Sequence, residues 1–205
     1  MEQIKTYITA YCKIEKNQIS LNGETVFHSE DLSFQDFSKK AYQQLELNYP
    51  KFFKMDNLSK LAFLASEIIL EGNLESETEN NVALLFANKS SSLDTDVKYQ
   101  KSISDKNEYF PSPAVFVYTL ANICMGEISI KNQFKSENCF FIFDAFNSQF
   151  MADYGSLLLK TGKAEKVLCA WTELYQEEYQ VFMCLVSKEG TLEYNQENLE
   201  KLYKR

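Results

Sequence analysis

The run VALLFAN, from Val82 to Asn88, constrains the fold more than any other stretch of this chain. Its six apolar residues follow one another without polar alternation. A strand built from them has no face to give to water and must be covered on both sides. CFFIF, Cys139 to Phe143, reads as the next buried strand. KVLCAWTEL and YQVFMCLVS alternate and read as two adjacent antiparallel strands. Helical patterns lie between these runs. KMDNLSKLAFLASEIILEG is the clearest: Asp56 or Asn57 can cap it, Leu61, Leu64, Ala65 and Ile68 share one face, and Gly72 can end it. FQDFSKKAYQQLEL places Phe34, Phe37, Ala41 and Leu45 at helical spacing. Further helices are expected from Ser112, as cap before Pro113, to Cys124, from Asn147 to Lys160 with Gly162 as stop, and from Asn195 to Tyr203. Ile4 to Ile14 reads as a strand, and Ile19 to Phe27 as a hairpin around Asn22-Gly23. Strands alternating with helices give an α/β layered fold.

No repeat and no Pro/Gly/Ser linker divides the chain, whose three prolines are Pro50, Pro111 and Pro113. A single domain over residues 1–205 is expected, long enough for a sizeable core. The net charge of −8 leaves no basic stripe for phosphates, which argues against a nucleic-acid partner. No apolar run is long enough to span a bilayer. MEQIKTYITAYCKIEK lacks the apolar centre of a signal peptide. The five cysteines (Cys12, Cys124, Cys139, Cys169 and Cys184) are scattered in apolar context. That pattern suits reduced thiols in a cytoplasmic protein. With one histidine and no ligand-spaced pair, no metal site or cofactor is expected. Residues 72–81 read as a solvated loop, and Ser90 to Ser92 as a turn.

The segment SPAVFVYTLANICMGEISIKNQFKSENCFFIFDAF resembles the centre of a β-ketoacyl synthase. Ser112, Pro113, Thr119, Asn122, Gly126, Ser129, Ile130 and Asn138 fall on that family's pattern. Downstream, Gly162, Ala164 and Glu165 match the turn that follows the family's next helix, and KMDNLSKLAFLAS resembles an earlier family helix. The alignment runs without a gap on both sides of the position that holds the nucleophilic cysteine in the family, and that position is Ala145 here. Ser136-Glu137-Asn138 stands where the family has Gly-Pro-Asn, and serines replace glycines after VALLFAN. The resemblance implies the N-terminal half of a thiolase-like fold, with a mixed sheet of about five strands packed with helices. The second half, which carries the family's catalytic histidines, has no counterpart, and His28 matches none of them.

A methyl group at Ala145 offers no atom for thiolate attack, so the chain is expected to lack condensing activity by itself. Cys139 as a displaced nucleophile is weighed against a buried structural thiol, which is preferred. Asp144 is read as a helix cap or strand-end polar group in preference to a cavity ligand. The family also contains inactive chain-length-factor subunits that pair with an active ketosynthase. By resemblance, the expected interface strand is Cys139, Phe140, Phe141, Ile142 and Phe143. The candidate walls of the acyl tunnel are Val115, Phe116 and Thr119, with core packing as the alternative for Phe116. The implied partners are an active ketosynthase subunit in a heterodimer and, indirectly, an acyl carrier protein. The setting suggested is fatty-acid or polyketide synthesis of the aryl-polyene or flexirubin pigment type. The alternative is a stand-alone homodimer that binds an acyl chain or carrier protein.

Overall fold

The structure is a computed structural model that describes residues 5–74, 80–105, 107 and 109–205. Ile4 and half of the loop expected at residues 72–81 lie outside them. One mixed sheet organises the chain. Its strands are β1 (Tyr7–Glu15), β2 (Gln18–Leu21), β3 (Glu24–His28), β4 (Val82–Asn88), β5 (Asn138–Ile142), β6 (Lys166–Tyr175), β7 (Glu178–Ser187) and the two-residue β8 (Leu192–Glu193). The spatial order is β3-β2-β1-β7-β6-β4-β5, with β8 pairing to the start of β1. β4 runs parallel to both β5 and β6, and the other pairs are antiparallel. The five strands β1, β7, β6, β4 and β5 make the expected sheet. The hairpin β2–β3 and the short β8 extend it to eight.

Every residue of β4 is buried, as its unbroken apolar run requires. β6 and β7 pair without interruption from Lys166↔Ser187 to Tyr175↔Glu178. The β2–β3 hairpin turns at Asn22 and Gly23, both with positive φ (53° and 91°), the backbone that Asn-Gly favours in a two-residue turn. Asn22 Oδ1 also accepts from the Tyr11 amide at 2.9 Å, which pins the turn to β1.

Helices cover both faces. On one lie α1 (Phe34–Gln44), α2 (Asn57–Leu70) and α5 (Ile123–Asn132); on the other lie α6 (Ser148–Lys160) and α7 (Gln196–Lys204). Asp56 caps α2, its Oδ1 accepting from the Ser59 amide at 2.9 Å, while Oδ2 accepts from Thr95 Oγ1 at 2.7 Å. The cap thereby ties α2 to α3 (Leu93–Ser104). α2 is buried on more than the one face expected: Phe63, Ala62 and Ile69 are as enclosed as Leu61, Leu64 and Ala65. The reason is that α1 and α5 flank it while the sheet lies beneath.

Two expectations are corrected. The helix expected from Ser112 to Cys124 is two helices, α4 (Pro113–Val117) and α5. Ser112 does cap α4, accepting from the Val115 amide at 3.3 Å. Thr119 Oγ1 then donates to the Phe116 carbonyl at 2.7 Å, and the Thr119 carbonyl accepts from Ser92 Oγ at 2.8 Å. A side chain that captures a carbonyl in this way competes with helix propagation. The second correction concerns one of the two readings of Asp144: the cap of α6 is Asn147, whose Oδ1 accepts from the Phe150 amide at 3.0 Å, while Asp144 is the exposed polar group in the bend just past the end of β5.

Candidate functional site

β4 and β5 end together. Asn88 pairs with Ile142, and the Phe143 amide donates to the Asn88 carbonyl at 3.0 Å. The chain then bends at Asp144–Ala145 and enters α6. Ala145 therefore sits in a strand-to-helix turn at the carboxyl ends of parallel strands, the place where α/β sheets hold ligands. It is exposed and lines a cleft of about 710 Å³. Lys89 and Ser90, after β4, form one wall, Asp144, Phe146 and Ser148 line it beside Ala145, and β6, the β6–β7 turn, β7 and α7 contribute the other sides, with Trp171, Glu173, Gln180, Glu200, Tyr203 and Lys204 among them.

The serine-rich loop after β4 is a turn, as expected. Asn88 organises it: its Oδ1 accepts from the Ser91 amide at 2.9 Å, and its Nδ2 donates to the Ser91 carbonyl at 2.9 Å. Glu173 Oε2 accepts from the Lys89 and Ser90 amides at 2.7 and 3.1 Å. The two amides that point toward the cleft are thus held by a carboxylate of the chain itself. Ser148 Oγ, also at the cleft, donates to Glu200 Oε1 at 2.9 Å. No imidazole lines the cleft: His28 is exposed at the end of β3, the opposite margin of the sheet. The cleft offers hydrogen bonds, carboxylates and aromatic walls around a methyl group. Among the described residues, no group of three or more His, Cys, Asp or Glu could hold a metal ion.

The strand Cys139–Phe143 is where the sequence places it, but it is not buried. Among the described residues β5 is the margin of the sheet, with β4 as its sole neighbour, and its residues are half-buried or exposed. An apolar run has the same composition whether the chain itself or something outside covers it, which is why the run alone suggested burial. Cys139 is half-buried, with Sγ 3.6 Å from Tyr154 Oη. Phe141 packs edge-on against Phe150 and Tyr154 of α6 at centroid distances of 4.7 and 5.6 Å. Of the other thiols, Cys124 faces the core beside α2, and burial pushes its pKa up, as burial also does for Cys12.

Val115, Phe116 and Thr119 lie on α4 and its exit, and none of them lines the Ala145 cleft. α4 has the sequence PAVFV and buries none of its residues. Phe116 is 57% exposed and touches Tyr99 at a centroid distance of 5.3 Å, so it is not core packing. It belongs to a larger set. Tyr109, Phe110 (75% exposed), Val117, Leu120, Ile130, Ile142 and Leu157 are also exposed, whereas elsewhere among the described residues only Val26, Phe53 and Leu93 are comparably exposed. Large apolar side chains in contact with water are thus concentrated between residues 109 and 157. The polar walls contributed by β6, β7 and α7 had no sequence signal, because Glu173, Glu200 and Lys204 look like ordinary solvated positions.

No protein-family model and no curated protein matches the sequence. Solved structures do match. A chain of the ishigamide ketosynthase/chain length factor superposes with a TM-score of 0.65 at 15% identity, over 89% of this chain and 62% of that one. A chain from a type II polyketide synthase acyl-carrier protein in complex with its ketosynthase gives 0.63 at 14% identity, over 97% and 65%. A chain from the complex of the ketosynthase ApeO with its chain length factor ApeC, from Xenorhabdus doucetiae, gives 0.60 at 13% identity, over 98% and 91%. This chain therefore spans less than two thirds of the length of the first two and nearly all of the third. Identities this low speak for the fold, and the fold is ketosynthase-like: a mixed α/β sheet of the thiolase type with helices on both faces.

Proposed function

We propose that this chain is a noncatalytic ketosynthase-like subunit that pairs with an active β-ketoacyl synthase and shapes the tunnel holding its growing acyl chain. The observation that carries this reading is the open apolar margin. Among the described residues β5 presents one unpaired edge; exposed apolar side chains lie on β5 itself and on α5 and α6, which touch it through Ser129 and Tyr154, and more lie on α4. An unprotected edge strand is a template for pairing. The structures with the same fold include a ketosynthase bound to its chain length factor. Ala145 supports the noncatalytic half of the reading, since the cleft holds neither thiol nor imidazole. The ligand is then an acyl thioester delivered by a carrier protein and held mainly by the partner. Aryl-polyene or flexirubin-type pigments are the product class this reading favours.

The test is co-expression with each cysteine-bearing ketosynthase encoded nearby, followed by purification and mass measurement of the intact complex. A one-to-one complex is expected. With Phe116→Ala, the complex should make longer products than the wild type, because removing a ring from a tunnel wall leaves room for several more carbons. A chain that remains a self-dimer and binds acyl chains alone would favour the independent binding module instead.

Restoring the thiol should not restore chemistry. Ala145→Cys alone is expected to give no condensation of malonyl and acyl thioesters above background, since no imidazole lines the cleft to take part. Turnover by that variant in the absence of a partner would overturn the noncatalytic reading.

A further inference from the structure

We infer that Gly126, at the centre of the outer face of α5, is where a helix of the partner subunit packs against this chain. The inference rests on the pairing reading above and says which residue sets the closest approach. On α5, Cys124, Met125, Glu127 and Ile128 are buried. At 100° per residue they occupy one side of the helix. Gly126 lies opposite their centre, with Ile123 and the 64% exposed Ile130 on one flank and Ser129 on the other.

A glycine inside a helix weakens it relative to alanine, so its presence calls for a cause. Nothing among the described residues supplies one. A Cβ built on Gly126 meets no atom within 4 Å, and its φ is not positive. Gly155 of α6 is the internal contrast: a Cβ there would stand 2.7 Å from Tyr194 Oη, so packing within the chain explains that glycine. Gly126, itself half-buried, leaves a notch on this face, bordered by the half-buried Ile123 and Ser129 and the exposed Ile130.

The notch is also in the right place. Ser129 Oγ accepts from Asn138 Nδ2 at 3.5 Å, which sets this face of α5 beside the start of β5 and its open edge. A strand that pairs with that edge extends the sheet, and a helix on the same face of the partner's sheet then lies next to α5. A partner of the same fold carries such a helix. Helices usually pack with axes about 8–10 Å apart, according to the side chains between them, and a position without Cβ permits the short end of that range. The occupant is therefore an apolar helix of a ketosynthase-fold subunit.

The experiment compares wild type, Gly126→Ala, Gly126→Leu and Ile142→Asp, each as the full chain. The melting temperature of the isolated chain is measured, as is its affinity for the nearby-encoded, cysteine-bearing ketosynthase. Gly126→Ala should raise the melting temperature by about 2–4 °C and weaken the complex. Gly126→Leu should leave the isolated chain at least as stable as wild type and weaken the complex by about tenfold or more. If Gly126→Leu binds as wild type does while Ile142→Asp does not, the pairing stands and the α5 contact falls. If Gly126→Leu destabilises the isolated chain, the glycine has an internal cause and the inference is overturned. If wild type does not bind, or Ile142→Asp binds as well as wild type, the pairing reading falls first and takes this inference with it.

Discussion

Replacing Leu64 with alanine should cost about 3–5 kcal/mol of unfolding free energy. Leu64 has no exposed surface and lies on α2, the helix enclosed by α1, α5 and the sheet strands β1, β6 and β7. The loss has two parts. The removed atoms forgo their transfer out of water, and the space they leave stays largely open, because neighbours held by a sheet and two helices cannot collapse into it. Against the 5–15 kcal/mol typical of a folded domain, a loss of this size brings the chain close to its unfolding threshold. Urea denaturation followed by circular dichroism checks it, with Leu157→Ala as the companion. Leu157 is half exposed on α6, and its truncation should change the stability of the isolated chain by less than about 1 kcal/mol. Equal losses from the two leucines would contradict the assignment of α2 to the centre of the core.

Much of this core could be read before the structure, and the reasons differ by element. VALLFAN leaves a strand no choice but double cover, and β4 has it. The alternation in KVLCAWTEL and YQVFMCLVS gave the β6–β7 pair, and Asn22-Gly23 located the hairpin. The break between α4 and α5 was not legible, because it depends on Ser92 reaching the Thr119 carbonyl from 27 residues away. α3 was missed because LDTDVKYQKSIS carries weak apolar periodicity, and its start depends on the turn organised by Asn88. Ala145 was legible as a position, because the segments on both sides aligned with a known pattern. The cleft around it was not, because its other walls come from the β6–β7 hairpin and α7, which become neighbours of Ala145 only in the folded chain. β5 shows the limit most plainly. CFFIF states that something covers the strand; in the structure no strand among the described residues pairs with one of its edges.

That open edge leads to the largest expected effect on assembly: Ile142→Asp should weaken the complex with an active ketosynthase by a factor of roughly 30 to 1000, about 2–4 kcal/mol. The Glu137 carbonyl accepts from Leu84 and the Phe143 amide donates to Asn88, so the odd-numbered residues of this stretch bond to β4. By alternation, the backbone groups of Phe140 and Ile142 point to the open side. A partner strand that pairs there desolvates them and covers the Ile142 side chain, which is 51% exposed in the single chain. An aspartate at that position stays hydrated while the edge is open, so the isolated chain should fold with near-normal stability. Once the edge is covered, the carboxylate loses water and gains no cation, which costs several kcal/mol unless it takes up a proton. Two measurements separate the effects: thermal unfolding of the free chain should barely change, while the intact-complex mass should disappear at concentrations where wild type is fully paired. An unchanged complex would mean that β5 stays uncovered in the assembly, and the apolar side chains of α4 and α6 would then have to hold the partner without help from the sheet.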